Sequence, residues 1–225
     1  MKTVVFTALI GPGAPLNLDL PLIGLNARAV CLTDREGFVA SGWEIIPVPP
    51  TKNFRHTARM VKHAPDELFP DAEYTVWVDA SFTFLKPIET IVADALSTGA
   101  QIAAFQHPDR KRIRDEADAV IACRQAPREA VERQILAYRE QGFDTSTHPQ
   151  PTLTTTGLLC RLRTPEMAQF NRALRTEICA HTVRDQLCID YLRWALGVPI
   201  GYLQGHYRDN PYVKYHRNRK MLTIA

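Results

Sequence analysis

Eight residues, Tyr74-Thr-Val-Trp-Val-Asp-Ala-Ser81, followed by Phe82-Thr-Phe-Leu85, limit the folds open to this chain more than any other stretch. A continuous run of β-branched and aromatic side chains buries well on both faces of a sheet. The run predicts a buried strand that stops at one acid, Asp79, and resumes as a second short strand. Open α/β sheets bind their ligands beyond the carboxyl ends of their strands. Asp79 is therefore placed to hold a divalent cation or a polar substrate. A turn former or helix cap is the plain alternative, and the rest of the chain has to decide between them.

Strands and helices alternate along the chain. Residues 3–10 read as a strand broken by Gly11-Pro12-Gly13, and residues 27–33 and 43–48 as two more, closed by Thr33-Asp34 and Pro49-Pro50. Residues 53–63 form a polar, helical stretch, and Pro87 opens a helix as a first-turn proline running to about Ser97. A short strand at 101–105 precedes a charged helical segment at 110–123 and a helix at 128–141 capped by Gly142. Residues 152–161 return to a strand interrupted at Gly157, and 165–179 form a helix with Met167, Phe170, Leu174 and Ile178 on one face. A helix at 184–196 and a strand at 200–203 complete the pattern. Such alternation predicts an α/β/α sandwich with a mostly parallel central sheet, Rossmann-like in plan. Residues 1–204 are read as one domain and 205–225 as a polar, basic tail able to close over a site.

At 225 residues the chain is long enough for one ample core, and its 45% hydrophobic content is ordinary for a globular protein. A net charge of +3 with arginine well ahead of lysine suits an anionic ligand, since the guanidinium fork matches phosphate and carboxylate. Solvated surface charge accounts for most of these arginines. The five cysteines are odd in number and form no CxxC pair, which points to reduced, mostly buried thiols and away from structural zinc. The first residues enter a strand directly and resemble neither a signal peptide nor a membrane span. The expected location is cytoplasmic.

Several clusters can carry chemistry, each beside a plainer reading. In Thr7-Ala8-Leu-Ile-Gly11, glycine lets backbone amides approach a ligand, although a simple turn explains it equally. Asp34 ends the second strand. Asp79 and Ser81 supply oxygen ligands for a hard cation, but only part of a shell. His107 and Arg110 lie in a loop dense with charge, readable as a phosphate or acceptor clamp or as a solvated helix face. Thr156 and Gly157 sit where hydroxyls and close approach would suit a sugar, or where a bulge would form. Asp185 and Gln186 stand in the first turn of a helix, where an acid suits the dipole or faces a cleft as a base. In the tail, His206 and His216 can donate imidazole nitrogen to a metal already held by carboxylate.

Taken in order, these pieces resemble a glycosyltransferase of the GT-A type, and in particular the glycosyltransferase-like family of bacterial and plant proteins once catalogued as a domain of unknown function. The resemblance rests on Val4-Val-Phe-Thr-Ala-Leu-Ile-Gly11, Cys31-Leu-Thr-Asp34, Gly42-Trp-Glu-Ile-Ile46, Tyr74 to Ser81, His107-Pro-Asp-Arg110, Asp115-Glu-Ala117, Gln134 to Gly142, Thr156-Gly157 through Arg161, and Arg184-Asp-Gln-Leu187. It covers roughly residues 3–196. It implies a nucleoside-diphosphate sugar over the N-terminal half of the sheet, near Thr7, Ala8, Gly11 and Asp34. Asp79 would act as one acid of a DxD-like metal motif, with Ser81 standing where a second acid is common, and Mn²⁺ or Mg²⁺ as cofactor. Asp185-Gln186 would lie near the reacting sugar, and His206 or His216 would play the late metal-binding histidine. The expected activity is transfer of a sugar to a hydroxyl, on a glycan or another acceptor. A non-catalytic sugar- or nucleotide-binding module on the same scaffold is the alternative. A nucleic-acid acceptor is a weaker one, because the basic excess is modest and no nucleic-acid-reading motif is present.

Overall fold

A computed structural model describes residues 2–12, 14, 15, 18–146 and 152–217. Three strands open the chain, β1 (Thr3–Leu9), β2 (Ala27–Thr33) and β3 (Glu44–Pro47). Then come α1 (Phe54–Lys62), the single turn α2 (Pro65–Leu68), β4 (Tyr74–Val78) and β5 (Phe82–Phe84). The middle holds α3 (Ile88–Ser97), β6 (Ile102–Gln106), α4 (Ile113–Ala122) and α5 (Arg128–Glu140). The rest is β7 (Thr154–Leu162), α6 (Pro165–Ala180), a 3-10 turn (Asp185–Leu187), α7 (Ile189–Leu196), β8 (Ile200–His206) and β9 (Val213–Tyr215).

Seven strands form one sheet in the order β3-β2-β1-β4-β7-β6-β8. β7 runs antiparallel to β4 and β6, and every other neighbouring pair is parallel. The fold is thus the mostly parallel, Rossmann-like α/β/α sandwich that the alternation predicts. Side chains alternate across the sheet with the two-residue period of a strand. Val4, Phe6, Val30, Leu32 and Trp77 enter one core, and Val5, Ala29, Cys31, Val76 and Val78 the other. The first core is closed by α1, α4, α5, α6 and α7, through residues such as Val61, Ile113, Ile135, Phe170 and Leu192. The second is closed by α3, through Ile88, Ile91 and Val92, and by the two-stranded sheet of β5 and β9.

Local signals place the helix ends well. Gly142, with φ +85°, follows α5 as a left-handed residue. The Thr164 hydroxyl accepts the Met167 amide at 3.1 Å, with Pro165 in the first turn of α6. The charged segment at 110–123 becomes helical only from Ile113, because the Asp115 carboxylate accepts the Arg112 amide at 3.1 Å and holds Arg112 extended.

Two expectations are corrected. The segment 184–196 is not one helix: the 3-10 turn comes first, and α7 begins after Cys188. In that 3-10 turn the Asp185 side chain reaches the buried Lys62 and His63. β7 runs unbroken through Gly157, and the irregularity in pairing lies between Ala104 and Gln106 of β6. The stretch 205–217 is built into the fold, since β9 pairs antiparallel with β5 and sets Tyr215 opposite Phe82. Gly13 and residues 218–225 lie outside the described residues. Among the described residues no helix is long and apolar enough to cross a membrane. All five cysteines are free, with Cys31, Cys160 and Cys188 buried and Cys123 and Cys179 exposed.

Candidate active site

Because β7 is antiparallel, its beginning lies beside the end of β4. The Asp79 amide donates to the Gly157 carbonyl at 2.8 Å. A side chain at position 157 would bring its Cβ to 2.9 Å from Phe82 Cε2 and 3.4 Å from Asp79 Oδ2. Glycine is required there by this close approach, its backbone being unstrained. The ends of β4, β6 and β8 and the start of β7 surround a cavity of about 350 Å³. Of the residues singled out in sequence, Asp79, Ser81, His107, Arg110, Thr156, Gly157, Asp185 and Gln186 line it.

Asp79 is partly open to the cavity, with its side chain 36% exposed. Its Oδ1 accepts the Trp77 indole N–H at 2.7 Å and lies 3.9 Å from the Lys62 ammonium. Asp185 sits deeper. The Lys62 Nζ is 2.6 Å and the His63 Nε2 3.1 Å from its Oδ2, and the Arg59 Nε is 3.4 Å from its Oδ1. Burial alone would raise its pKa, but Arg59, Lys62 and His63 together hold it well below the usual carboxylate range. The buried Arg161 completes the arrangement, donating to the Lys62 carbonyl and to His63 Nδ1, each at 3.0 Å. With Nδ1 accepting, the imidazole proton sits on Nε2 and is donated to Asp185. Burial pushes the His63 pKa down to about 3, so the ring is neutral at ordinary pH.

The opposite wall comes from α4 and its preceding loop. Glu116 is buried, with the Arg110 Nε at 2.6 Å and the Arg184 Nη2 at 3.8 Å. Burial raises its pKa, and the two arginines only partly oppose that. His107 Nδ1 accepts the amides of Asp109 and Arg110, each at 3.0 Å, which leaves its proton on Nε2. Burial, reinforced by Arg110, lowers its pKa to about 4. Arg208 pairs with Asp109 and so ties the β8–β9 connection to this loop. Tyr207 and Tyr215, packed edge to face with centroids 5.3 Å apart, line the rim.

Other sequence candidates fall elsewhere. Thr7 is buried, its hydroxyl has no hydrogen-bond partner among the described residues, and it borders only a crevice of about 10 Å³. Ala8 packs against the first core. The Asp34 carboxylate clasps the Gly11 amide at 3.0 and 3.1 Å, making the turn after β1. None of these four lines the cavity. The connection between β1 and β2 lies over this edge, held by Arg35 on the Pro15 and Ala14 carbonyls and by the Trp43 indole on the Asp19 carbonyl. His206 belongs to a tight turn with Asp209, and His216 hydrogen-bonds to Thr83 at 2.9 Å while its amide donates to the Ser81 carbonyl. Neither histidine lines the cavity.

A family model described as TOD1/MUCI70, glycosyltransferase-like domain, matches residues 25–204. The chain belongs to that family. No curated protein matches it. The TOD1/MUCI70 match contains every cavity residue from Arg59 to Gln186, whereas Tyr207 and Tyr215 lie beyond it.

The metal implied by the sequence fits this TOD1/MUCI70 domain poorly. Among the described residues no group of three or more His, Cys, Asp or Glu side chains gathers to hold an ion. The cavity offers Asp79, with one oxygen already engaged, and Ser81, and it is lined as well by Arg59, Arg110 and Arg184. Of those three arginines the sequence marked Arg110 as a clamp residue and Arg184 as part of a motif, and Arg59 is the addition. Glu116 and Arg161 lay inside motifs of the family resemblance without a role of their own, and Arg59, Lys62 and His63 were legible only as a polar helix. For the α1 residues the hint was the i, i+3 spacing of Arg59 and Lys62, which sets them near one another on that helix.

Proposed function

We propose that this cavity binds a nucleoside-diphosphate sugar and transfers its glycosyl group to an acceptor hydroxyl. The observation that carries the reading is a half-open strand-end carboxylate, Asp79, sharing one cavity with three arginines in a glycosyltransferase-like domain. As the bond from the anomeric carbon to phosphate breaks, its electron pair goes to the diphosphate. Arg59, Arg110 and Arg184 are disposed to stabilise that growing charge. Buried Asp185, Lys62 and Arg161 hold Arg59 and the floor in place without needing to reorganise. Were a Mn²⁺ or Mg²⁺ ion bound, Asp79 would be the side chain to hold it, and the ion would add charge neutralisation to that of the arginines.

The acids divide by environment. Asp185, held far below its ordinary pKa, is a weak base and serves to position its neighbours. Glu116, pushed upward, is the better base. In this reading Glu116 takes the acceptor's proton as its oxygen attacks the anomeric carbon. Asp79 and Thr156 orient the sugar. The Thr155 hydroxyl donates to the Phe105 carbonyl at 3.0 Å and remains only as an acceptor.

A panel of nucleotide sugars, assayed for release of nucleoside diphosphate with and without Mn²⁺, tests the proposal. Turnover of one donor, lost in Asp79→Ala with the thermal transition retained, supports it. No binding and no turnover with any donor would remove it. A second reading, a non-catalytic binding module, is favoured by Ser81 in place of a second acid and by the thin set of metal ligands. Calorimetry showing donor binding without turnover across many acceptors would select it.

A further inference from the structure

Outside the cavity, α1 and α6 bring together three side chains of one chemical character. The Cys179 Sγ lies 3.5 Å from the His56 Nε2 and 3.9 Å from the Met60 Sδ. His56 and Met60 are four residues apart on α1, so their side chains stack on one helix face. Cys179 is exposed and reachable from solvent. The two helices are held in register one turn away, where Arg175 of α6 donates to the His63 carbonyl at 2.5 Å.

Thiolate, thioether and imidazole form a soft ligand set, unlike the oxygen sets chosen by Mg²⁺ or Mn²⁺. The two separations from Cys179 are also compatible with a shared ion. Metal–sulfur bonds of about 2.3 Å and a metal–nitrogen bond of about 2.0 Å, set at ~120°, separate sulfur from nitrogen by about 3.7 Å and sulfur from sulfur by about 4.0 Å. The observed separations fall within a few tenths of an ångström of those values. We propose that Cys179, Met60 and His56 form a binding site for one soft monovalent cation, Cu(I) or its surrogate Ag(I). Binding replaces the thiol proton, which leaves to solvent. Zinc is disfavoured because its structural sites are four-coordinate and built from thiolate, imidazole and carboxylate. The inference is independent of the glycosyl-transfer reading.

The test uses the full chain under anaerobic conditions, with Cu(I) titrated against a chromophoric Cu(I) chelator and Ag(I) followed by calorimetry. One equivalent of Cu(I) should be withdrawn from the chelator. Cys179→Ser, Met60→Leu and His56→Gln should each weaken binding by at least ~10-fold, and Cys123→Ser should leave the stoichiometric site intact. X-ray absorption should show two sulfur neighbours and one nitrogen. Equal binding by wild type and Cys179→Ser overturns the proposal. So does a loss confined to Cys179→Ser, which would mean capture by a lone thiol beside a hydrogen-bonded imidazole. Displacement of Cu(I) by equimolar Zn²⁺ overturns it as well. Thermal melting of each variant verifies that the fold persists.

Discussion

Replacing Asp185 with asparagine removes one negative charge and almost no volume, which makes it the sharpest probe of the site's electrostatic frame. The carboxylate sits 2.6 Å from the Lys62 ammonium, which is itself fully buried. The variant leaves that ammonium with Asp79, 3.9 Å away, as its nearest remaining acid partner. Removing one member of a buried ion pair costs about 3–5 kcal/mol. The lower end applies here, because Arg59 is a quarter exposed and can turn toward water. A loss of about 3 kcal/mol corresponds to a fall of roughly 6–12 °C in melting temperature for a chain of this size. The pH dependence separates this cause from simple loss of packing. The folded-state pKa of Asp185 lies below the unfolded value of about 3.9, so its contribution is present above that value and disappears as pH falls through the folded pKa. The gap between wild type and Asp185→Asn should therefore be full at pH 7 and close progressively below about pH 4. Urea unfolding of both proteins across that range measures it. A gap below ~1 kcal/mol at pH 7, or one that stays constant into acid, would refute the reasoning.

Arg184→Gln should raise the dissociation constant for a nucleoside diphosphate roughly 10–100-fold, the value of a charge-assisted hydrogen bond, as read by calorimetry; unchanged affinity would take Arg184 out of the phosphate wall. Glu116→Gln should lower turnover at least ~100-fold and erase the acid limb of the pH–rate profile, a limb that in the wild type falls above the ordinary glutamate range of about 4.3. Gly157→Ala should cost about 1–3 kcal/mol through overpacking against Phe82, and should impair donor use by displacing Asp79. A melting temperature and a KM equal to those of wild type would show that the close approach of β7 to β4 has no such consequence.

Much of the frame was legible in the chain. Continuous apolar runs at β1, β2 and β4, rich in β-branched residues and bounded by turn signals, read as strands buried on both faces, which suits a largely parallel sheet with both faces covered. The apolar stripe of Met167, Phe170, Leu174 and Ile178 faces the core. Asp79 was marked as a strand-end acid by the abrupt end of its hydrophobic run. The placing of Thr7, Gly11 and Asp34 near a donor came with the family resemblance and not from any pattern of their own, and here none of them lines the cavity, the connection after β1 lying over that edge. Its cover depends on Arg35 and Trp43 reaching backbone carbonyls some 20 residues back, contacts with no local pattern.

By itself, then, the sequence determined the layers, the order of the main strands and helices up to β8 and the single acid at the end of β4, because hydrophobic periodicity and turn chemistry are local properties. Tertiary structure alone decided that β7 runs antiparallel and sets Gly157 against Asp79, and that His63 meets an acid 122 positions away while Arg161 supports it from 98 positions away. In sequence a lysine, a histidine and an arginine read as solvated charge. Only folding shows that they have left water, and a buried charge takes its meaning from the opposite charge the fold places beside it.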